Sequence, residues 1–162
     1  MTVSLQLHEA AEKGDLNAFN SIVNSVNDLN VVNEKGQTPL HIAAINGETT
    51  VGAYITECGA NVSLADKDGN TPFHLAAINN KRLFVSMLLW GEADPLAVNL
   101  LGNTPLHEAA AYGNTATAFI IMTNGGEASK NVLNKNGKTP LDLARDNGHS
   151  DCAKCIETGL VD

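Results

Sequence analysis

The chain has 162 residues, of which 43% are hydrophobic and 4% aromatic, and its formal net charge is −8 at pH 7. This length suits one domain, and the acidic charge argues against nucleic acid or an anionic membrane surface as the partner. No apolar run approaches the ~20 residues that a membrane span needs, no signal peptide is evident, and three cysteines make no disulfide framework. We therefore expect a reduced protein of the cytoplasm or nucleus.

A repeat begins close to the start of the sequence. The residues from Leu7 to Ala11 (LHEAA) align with those from Leu40 to Ala44 (LHIAA), 33 residues later (7 to 40). The first unit of a stack has no outer neighbour and needs a polar outer surface. The polar residues that follow the first copy suit that position: Asn17, Asn20, Ser21 and Asn24. We predict an N-terminal capping unit over residues 2–32.

A Thr-Pro-Leu-His motif marks each later unit. It stands at Thr38–His41, Thr71–His74 (with Phe in third place) and Thr104–His107, and it ends in Asp at Thr139–Asp142. The first three copies start 33 residues apart (38, 71, 104) and the last follows after 35 (139). Thr is a favoured helix N-cap and Pro suits the first helical position. Asp or Asn followed three residues later by Gly precedes each copy, which indicates a turn.

A second amphipathic helix is predicted in each unit after a Gly or Asn stop. These helices are expected at about 48–57, 81–90, 115–123 and 150–157. A turn and two antiparallel helices cannot bury their apolar faces alone, so neighbouring units must stack. Two extra residues within 125–131 predict a loop excursion before the last unit.

With this period and motif the chain resembles the ankyrin-repeat family over roughly residues 5–158. The resemblance implies an all-α solenoid of helix-turn-helix units joined by β-hairpin-like turns. We predict a single domain over 1–162 with an N-terminal cap at 2–32, repeats at 33–65, 66–98 and 99–133, and a C-terminal cap at 134–162. Asp142 replaces the motif histidine in the last unit, which has no following repeat to contact.

The residues that could suggest chemistry have structural explanations. Histidines on successive layers lie about 8–10 Å apart and cannot share one zinc ion. The resemblance implies instead that each bonds to turn backbone across a repeat boundary. Cys152 and Cys155 align with inward positions of a second helix, and His149 is expected to be exposed. Acidic residues are expected only in turns, caps and exposed helix positions. We expect no catalysis, no cofactor and no metal.

The resemblance implies that a partner protein binds at the turn tips and on the concave face formed by the first helices. Tip positions also include Gln37, Asn70 and Asn103. Two leucines stand where the other tips are polar, and Ile45 and Ile78 predict an apolar strip. Alternatively, one leucine folds onto its own hairpin and the isoleucines are half-covered. The predicted partner-binding residues are Glu34, Lys35, Ile45, Asn46, Lys67, Asp68, Ile78, Asn79, Leu100, Leu101 and Tyr112.

Trp90 lies near the end of a second helix, where local repacking or a second binding surface would explain it. The favoured function is a monomeric adaptor, scaffold or inhibitor that binds another protein. The alternatives are a structural subunit of a larger assembly and an effector from a pathogen or symbiont. Resemblance to small cyclin-dependent-kinase inhibitors is weaker, because those have an abbreviated helix where Pro39 to Asn46 predicts a full one.

Overall fold

The computed structural model describes residues 2–161. Within that range the chain forms ten α-helices that follow one another in pairs, and none of them has the length and apolar character to span a membrane. The third helix is full-length, as the sequence predicts. In chain order the helices are α1 (Val3–Lys13), α2 (Leu16–Val23), α3 (Pro39–Asn46), α4 (Thr49–Glu57), α5 (Pro72–Ile78), α6 (Arg82–Trp90), α7 (Pro105–Ala111), α8 (Thr115–Ile121), α9 (Pro140–Asp146) and α10 (Ser150–Thr158).

The first helix of each later pair begins directly after its motif threonine, which caps it. In α3 the Oγ1 of Thr38 accepts a hydrogen bond from the backbone N–H of His41 at 3.4 Å, and Pro39 fills the first helical position. Proline has no N–H, so it leaves no donor unpaired there. The helix ends at Gly47, whose φ of 79° is the left-handed conformation that glycine adopts without strain. The motif therefore fixes where these helices start, as the sequence predicts.

The odd-numbered helices pack side by side in one layer and the even-numbered helices in another. A single core runs through the stack, and each pair adds large buried side chains to it, including Phe19, Leu40, Ile55, Phe73, Phe84, Leu88, Leu106 and Ile121. This confirms the all-α solenoid. We call the outer surface of the odd-numbered helices, with the hairpin tips, the front face, and the outer surface of the even-numbered helices the back face.

The turns between units are hairpins that bond to one another. In the first, the N–H of Asn33 donates to the carbonyl of Gln37 at 3.0 Å. Between neighbouring tips one backbone bond forms, such as that from the N–H of Leu100 to the carbonyl of Asp68 at 3.1 Å. These bonds confirm the predicted hairpin-like turns. They do not form a β-sheet, because residues 2–161 contain no β-strand.

The two extra residues before the last unit do not form the predicted loop excursion. Helix α8 ends at Ile121, and the chain continues as a π-helical turn at Met122–Gly126 and a 3₁₀ turn at Glu127–Asn131. Within the first of these segments the chain bends at Asn124 and Gly125, which are not helical, and Gly125 takes a φ of 102° that glycine adopts without strain. The side chain of Ser129 is fully buried and its hydroxyl donates to the carbonyl of Gly126. The insertion is absorbed as compact helical turns.

Candidate functional site

The motif histidines join each unit to the next hairpin. The Nε2 of His41 lies 3.0 Å from the carbonyl oxygen of Asn70, and the backbone N–H of Thr38 donates to its Nδ1 at 3.1 Å. Because a carbonyl can only accept, the proton is on Nε2. His74 and His107 repeat both contacts, and His8 reaches the carbonyl of Gln37 at 2.8 Å. The predicted role in joining repeats is confirmed.

The electrostatics of these histidines fit a neutral structural group. Burial is the largest cause that lowers the pKa of His41, and the hydrogen bond to Asn70 partly opposes it. Burial lowers the pKa of His74 and His107 in the same way. In the last unit Asp142 accepts from the backbone N–H of Thr139 at 2.9 Å, which lowers the pKa of its carboxyl. It caps its own helix only, as the sequence predicts for a terminal unit.

Three of the predicted tip positions lie inside the stack. Gln37, Asn70 and Asn103 are 8%, 9% and 5% exposed. Their carbonyls accept from the bridging histidines, and this contact holds each residue against the neighbouring unit. The assignment of these three residues to the exposed tips was therefore wrong.

A buried carboxylate lies behind the third hairpin. Glu108 is 6% exposed, and its Oε1 accepts from the side-chain amides of Asn99 at 2.7 Å and Asn103 at 2.9 Å. Asn99 also donates to the Oδ1 of Asn70, and Asn134 donates to the Oδ1 of Asn103, both at 2.9 Å. Side-chain bonds therefore link three successive hairpins. The expectation that acidic residues are only peripheral is wrong at this position.

The third hairpin presents apolar side chains to solvent. Leu100 is 59% exposed and Leu101 is 62% exposed, so neither folds away onto its own hairpin. The side chain of Leu100 leans towards Gly69 of the preceding hairpin. Leu96 and Val98, which the sequence did not single out, are 43% and 53% exposed. The remaining predicted tip residues, Glu34, Lys35, Lys67 and Asp68, are exposed and polar.

The ends of the first helices are less apolar than predicted. Ile45 and Ile78 are half-buried and pack against the core, which agrees with the alternative in which neighbours cover them. The amides of Asn46 and Asn79 donate to carbonyls of their own helices, at 2.9 and 2.8 Å. Tyr112 is 58% exposed and lies about 10 Å, the length of α7, from the third hairpin. It is the most accessible apolar group among these positions.

A groove of about 1020 Å³ lies at the N-terminal end of the front face, between α1, the first hairpin and α3. It brings together four of the predicted residues, Glu34, Lys35, Ile45 and Asn46. The sequence missed Leu5 and Val32, which also line the groove and are 54% and 56% exposed. Their apolar character was visible, but their exposure depends on how α1 lies against the first hairpin.

A family model of ankyrin repeats, in three copies, matches residues 7–99 and 80–157. The chain belongs to the ankyrin-repeat family. Ankyrin repeats generally mediate protein–protein interaction and are typically not enzymes. No curated protein matches the chain. In this ankyrin stack the motif residues build the scaffold: the threonines cap the first helices and the histidines bond to the next hairpin.

Away from the front face, the ankyrin stack buries two of its thiols. Cys152 and Cys155 are each 1% exposed, as predicted, and burial raises the pKa of Cys152 to about 11. Cys58 is exposed. The prediction for His149 was wrong, because its half-buried ring covers Gly113 and its Nε2 donates to the carbonyl of Ala111 at 3.0 Å. Within residues 2–161 no cluster of His, Cys, Asp or Glu could hold a metal ion.

The back face of the ankyrin stack carries the one tryptophan of the chain. Trp90, at the end of α6, is 86% exposed, so the explanation by local repacking is wrong. Leu83 in the same helix is 77% exposed. Trp90 occupies the position that Glu57 holds 33 residues earlier in α4, and Glu57 is exposed as well, so the repeat register carried the signal for this exposure.

Proposed function

We propose that this protein is a free-standing adaptor, scaffold or inhibitor that binds another protein through its hairpin tips and front face. The observation that carries the proposal is the apolar third hairpin, where Leu96, Val98, Leu100 and Leu101 are all exposed within six residues. Turns favour polar residues, and clustered exposed apolar side chains mark interaction sites. A partner that covers this hairpin would remove those side chains from water.

The surroundings of the third hairpin have the composition of an interface rim. Lys67 and Asp68 lie on the preceding tip, and Lys135 and Asn136 lie on the following one, all exposed. Apolar anchors surrounded by polar residues are typical of protein interfaces. Tyr112 adds an exposed aromatic group at the far end of α7. We propose that the partner contacts the third hairpin first and extends along the front face towards the N-terminal groove.

The test is recovery of partners by the tagged protein from a lysate of its source cells, measured by quantitative mass spectrometry. The double variant Leu100→Ser/Leu101→Ser is compared with wild type and with Leu160→Ser, which changes a 68% exposed leucine outside the front face. We expect the double variant to lose at least about 90% of partners that Leu160→Ser retains, with an unchanged melting temperature. Equal recovery contradicts the proposed surface, and a lower melting temperature means that the leucines stabilise the fold instead.

The same purification separates a free-standing module from a structural subunit. A free-standing protein elutes as a monomer when dilute, whereas a subunit stays with a fixed neighbour through every column. We also propose a location in the cytoplasm or nucleus, which the buried free thiols of Cys152 and Cys155 support, because reducing compartments keep thiols unpaired.

A further inference from the structure

The back face contains a nearly uncharged area across three helices. Its positions recur at equivalent places in α4, α6 and α8. We call them the back patch: the exposed Thr50, Glu57, Leu83, Trp90 and Thr123, and the half-buried Ala53, Ser86, Ala116 and Phe119. Glu57 is the one charged member. Leu83 and Trp90 are 77% and 86% exposed, and the small Ser86 lies between them on the same side of α6. Large side chains therefore flank a small one along a single helix.

The ends of the stack do not continue this character. The equivalent positions of α2 are Asn17, Asn20 and Asn24, and those of α10 are Asp151, Lys154 and Thr158. An apolar centre between polar ends is the arrangement of an interface core and its rim. A tryptophan this exposed is unusual on a monomeric surface, because the indole buries a large apolar area when covered. The back patch therefore has the composition of a surface that another molecule covers.

Charges of opposite sign lie at the two ends of α6. Arg82 stands exposed at its N-terminal end, whereas the side chain of Lys81 lies over Gly47 of the preceding unit. Glu57, Glu92 and Asp94 stand around its C-terminal end. The helix dipole has the same polarity, positive at the N-terminus and negative at the C-terminus. Glu48 occupies the place of Lys81 one repeat earlier, and its carboxylate lies over Gly14 of the first unit in the same way. The surface around α6 is thus basic at one end and acidic at the other.

We propose that two copies of this chain pair through their back patches, with the two α6 helices antiparallel across a twofold axis. Leu83 and Trp90 are seven residues apart, or about 10.5 Å along the helix. An antiparallel pair therefore sets Leu83 of each copy against Trp90 of the other, with Ser86 near the axis, where a small residue allows close approach. The same arrangement brings each basic end to the acidic end of the other copy. A self-complementary surface of this kind is what a twofold interface requires.

The size of the back patch sets the strength of this pairing. Three helices spaced 8–10 Å apart make it about 20 Å wide, and its length along α6 is about 10 Å. The area of the back patch is therefore about 200 Å², which is smaller than the roughly 800 Å² per partner of a stable interface. The dimer is therefore weak and the protein is monomeric when dilute. The back patch lies on the opposite layer from the front face, so pairing leaves the third hairpin free.

Because Trp90 is the one tryptophan of the chain, its fluorescence reports directly on the proposed interface. Emission spectra and sedimentation equilibrium are measured together from roughly 1 µM to 1 mM, a range that covers weak dimers. We expect the emission maximum to move to shorter wavelength as the mean mass rises towards that of a dimer. Leu83→Glu keeps the reporter and is expected to weaken dimerisation at least ~10-fold. Arg82→Glu, which places like charge opposite Glu92 of the other copy, is expected to weaken it as well.

The matched control is Leu101→Glu, the same substitution at a 62% exposed leucine of the front face. It is expected to dimerise as wild type does, although the proposed function assigns Leu101 to partner binding, so the two proposals fail independently. A wild-type protein that stays monomeric at about 1 mM overturns the pairing. Dimerisation without a shift in the Trp90 emission, or dimerisation that Leu83→Glu leaves intact, overturns the assignment to the back patch.

Discussion

Replacing Glu108 by leucine is expected to destabilise the fold by about 2–6 kcal/mol, even though a leucine fits this place in the repeat. Leu75 occupies the equivalent position one unit earlier and is 7% exposed. The loss comes from hydrogen bonding. Asn99 and Asn103 are buried, and each donates one amide hydrogen to the Oε1 of Glu108. Leucine leaves both donors unpaired, and each unpaired buried donor costs about 1–3 kcal/mol.

Glu108→Gln is the matched control, because its side-chain oxygen can still accept from both amides. Removing a buried charge offsets part of the weaker hydrogen bonding, so we expect a loss of about 1 kcal/mol or less. For a chain of this size, a loss of 1 kcal/mol in the free energy of unfolding lowers the melting temperature by about 2–4 °C. Thermal unfolding followed by circular dichroism should therefore show a melting temperature roughly 4–24 °C lower for Glu108→Leu. If Glu108→Leu melts within about 2 °C of wild type, or if both variants melt alike, the network does not stabilise the stack.

Three further outcomes follow from burial. The unfolded state takes up protons below pH 6.5 before the folded state does, because burial lowers the folded pKa of His41, His74 and His107. Urea unfolding at pH 7 and 5.5 should show lower stability at pH 5.5, by up to about 1.4 kcal/mol per pH unit for each histidine. Gly52→Val should cost at least about 1 kcal/mol in thermal unfolding, since even a Cβ there would stand 2.4 Å from Phe84. An alkylating reagent should label exposed Cys58 alone in the native protein and also Cys152 and Cys155 after unfolding, which intact mass measures.

The scaffold was predictable from the sequence because its determinants are local or periodic. A threonine, a proline and a turn before them define the start of α3 and its equivalents without reference to the rest of the fold. The fixed spacing of the units then brings each motif histidine to the next hairpin. The positions of Cys152 and Cys155 within the repeat were also enough to predict that both lie in the core.

The details of the candidate site depend on neighbours that the repeat pattern does not specify. Asn70 looks like a tip residue in sequence, and only the stacking of the next hairpin buries it. Glu108 is buried because Asn99 and Asn103 happen to supply donors, whereas the same position holds a leucine one unit earlier. Trp90 is exposed because no side chain of the adjoining helices extends over it, a fact that depends on three helices at once.

The affinity of the recovered partner for wild type and for Leu100→Ser/Leu101→Ser tests the central claim most directly. Each leucine is about 60% exposed, and full burial of a leucine contributes about 1.5–3 kcal/mol, so the pair should contribute about 1.8–3.6 kcal/mol. Isothermal titration calorimetry should therefore give a Kd about 20–450-fold higher for the double variant. An unchanged Kd would contradict the claim that this protein binds its partner through the third hairpin.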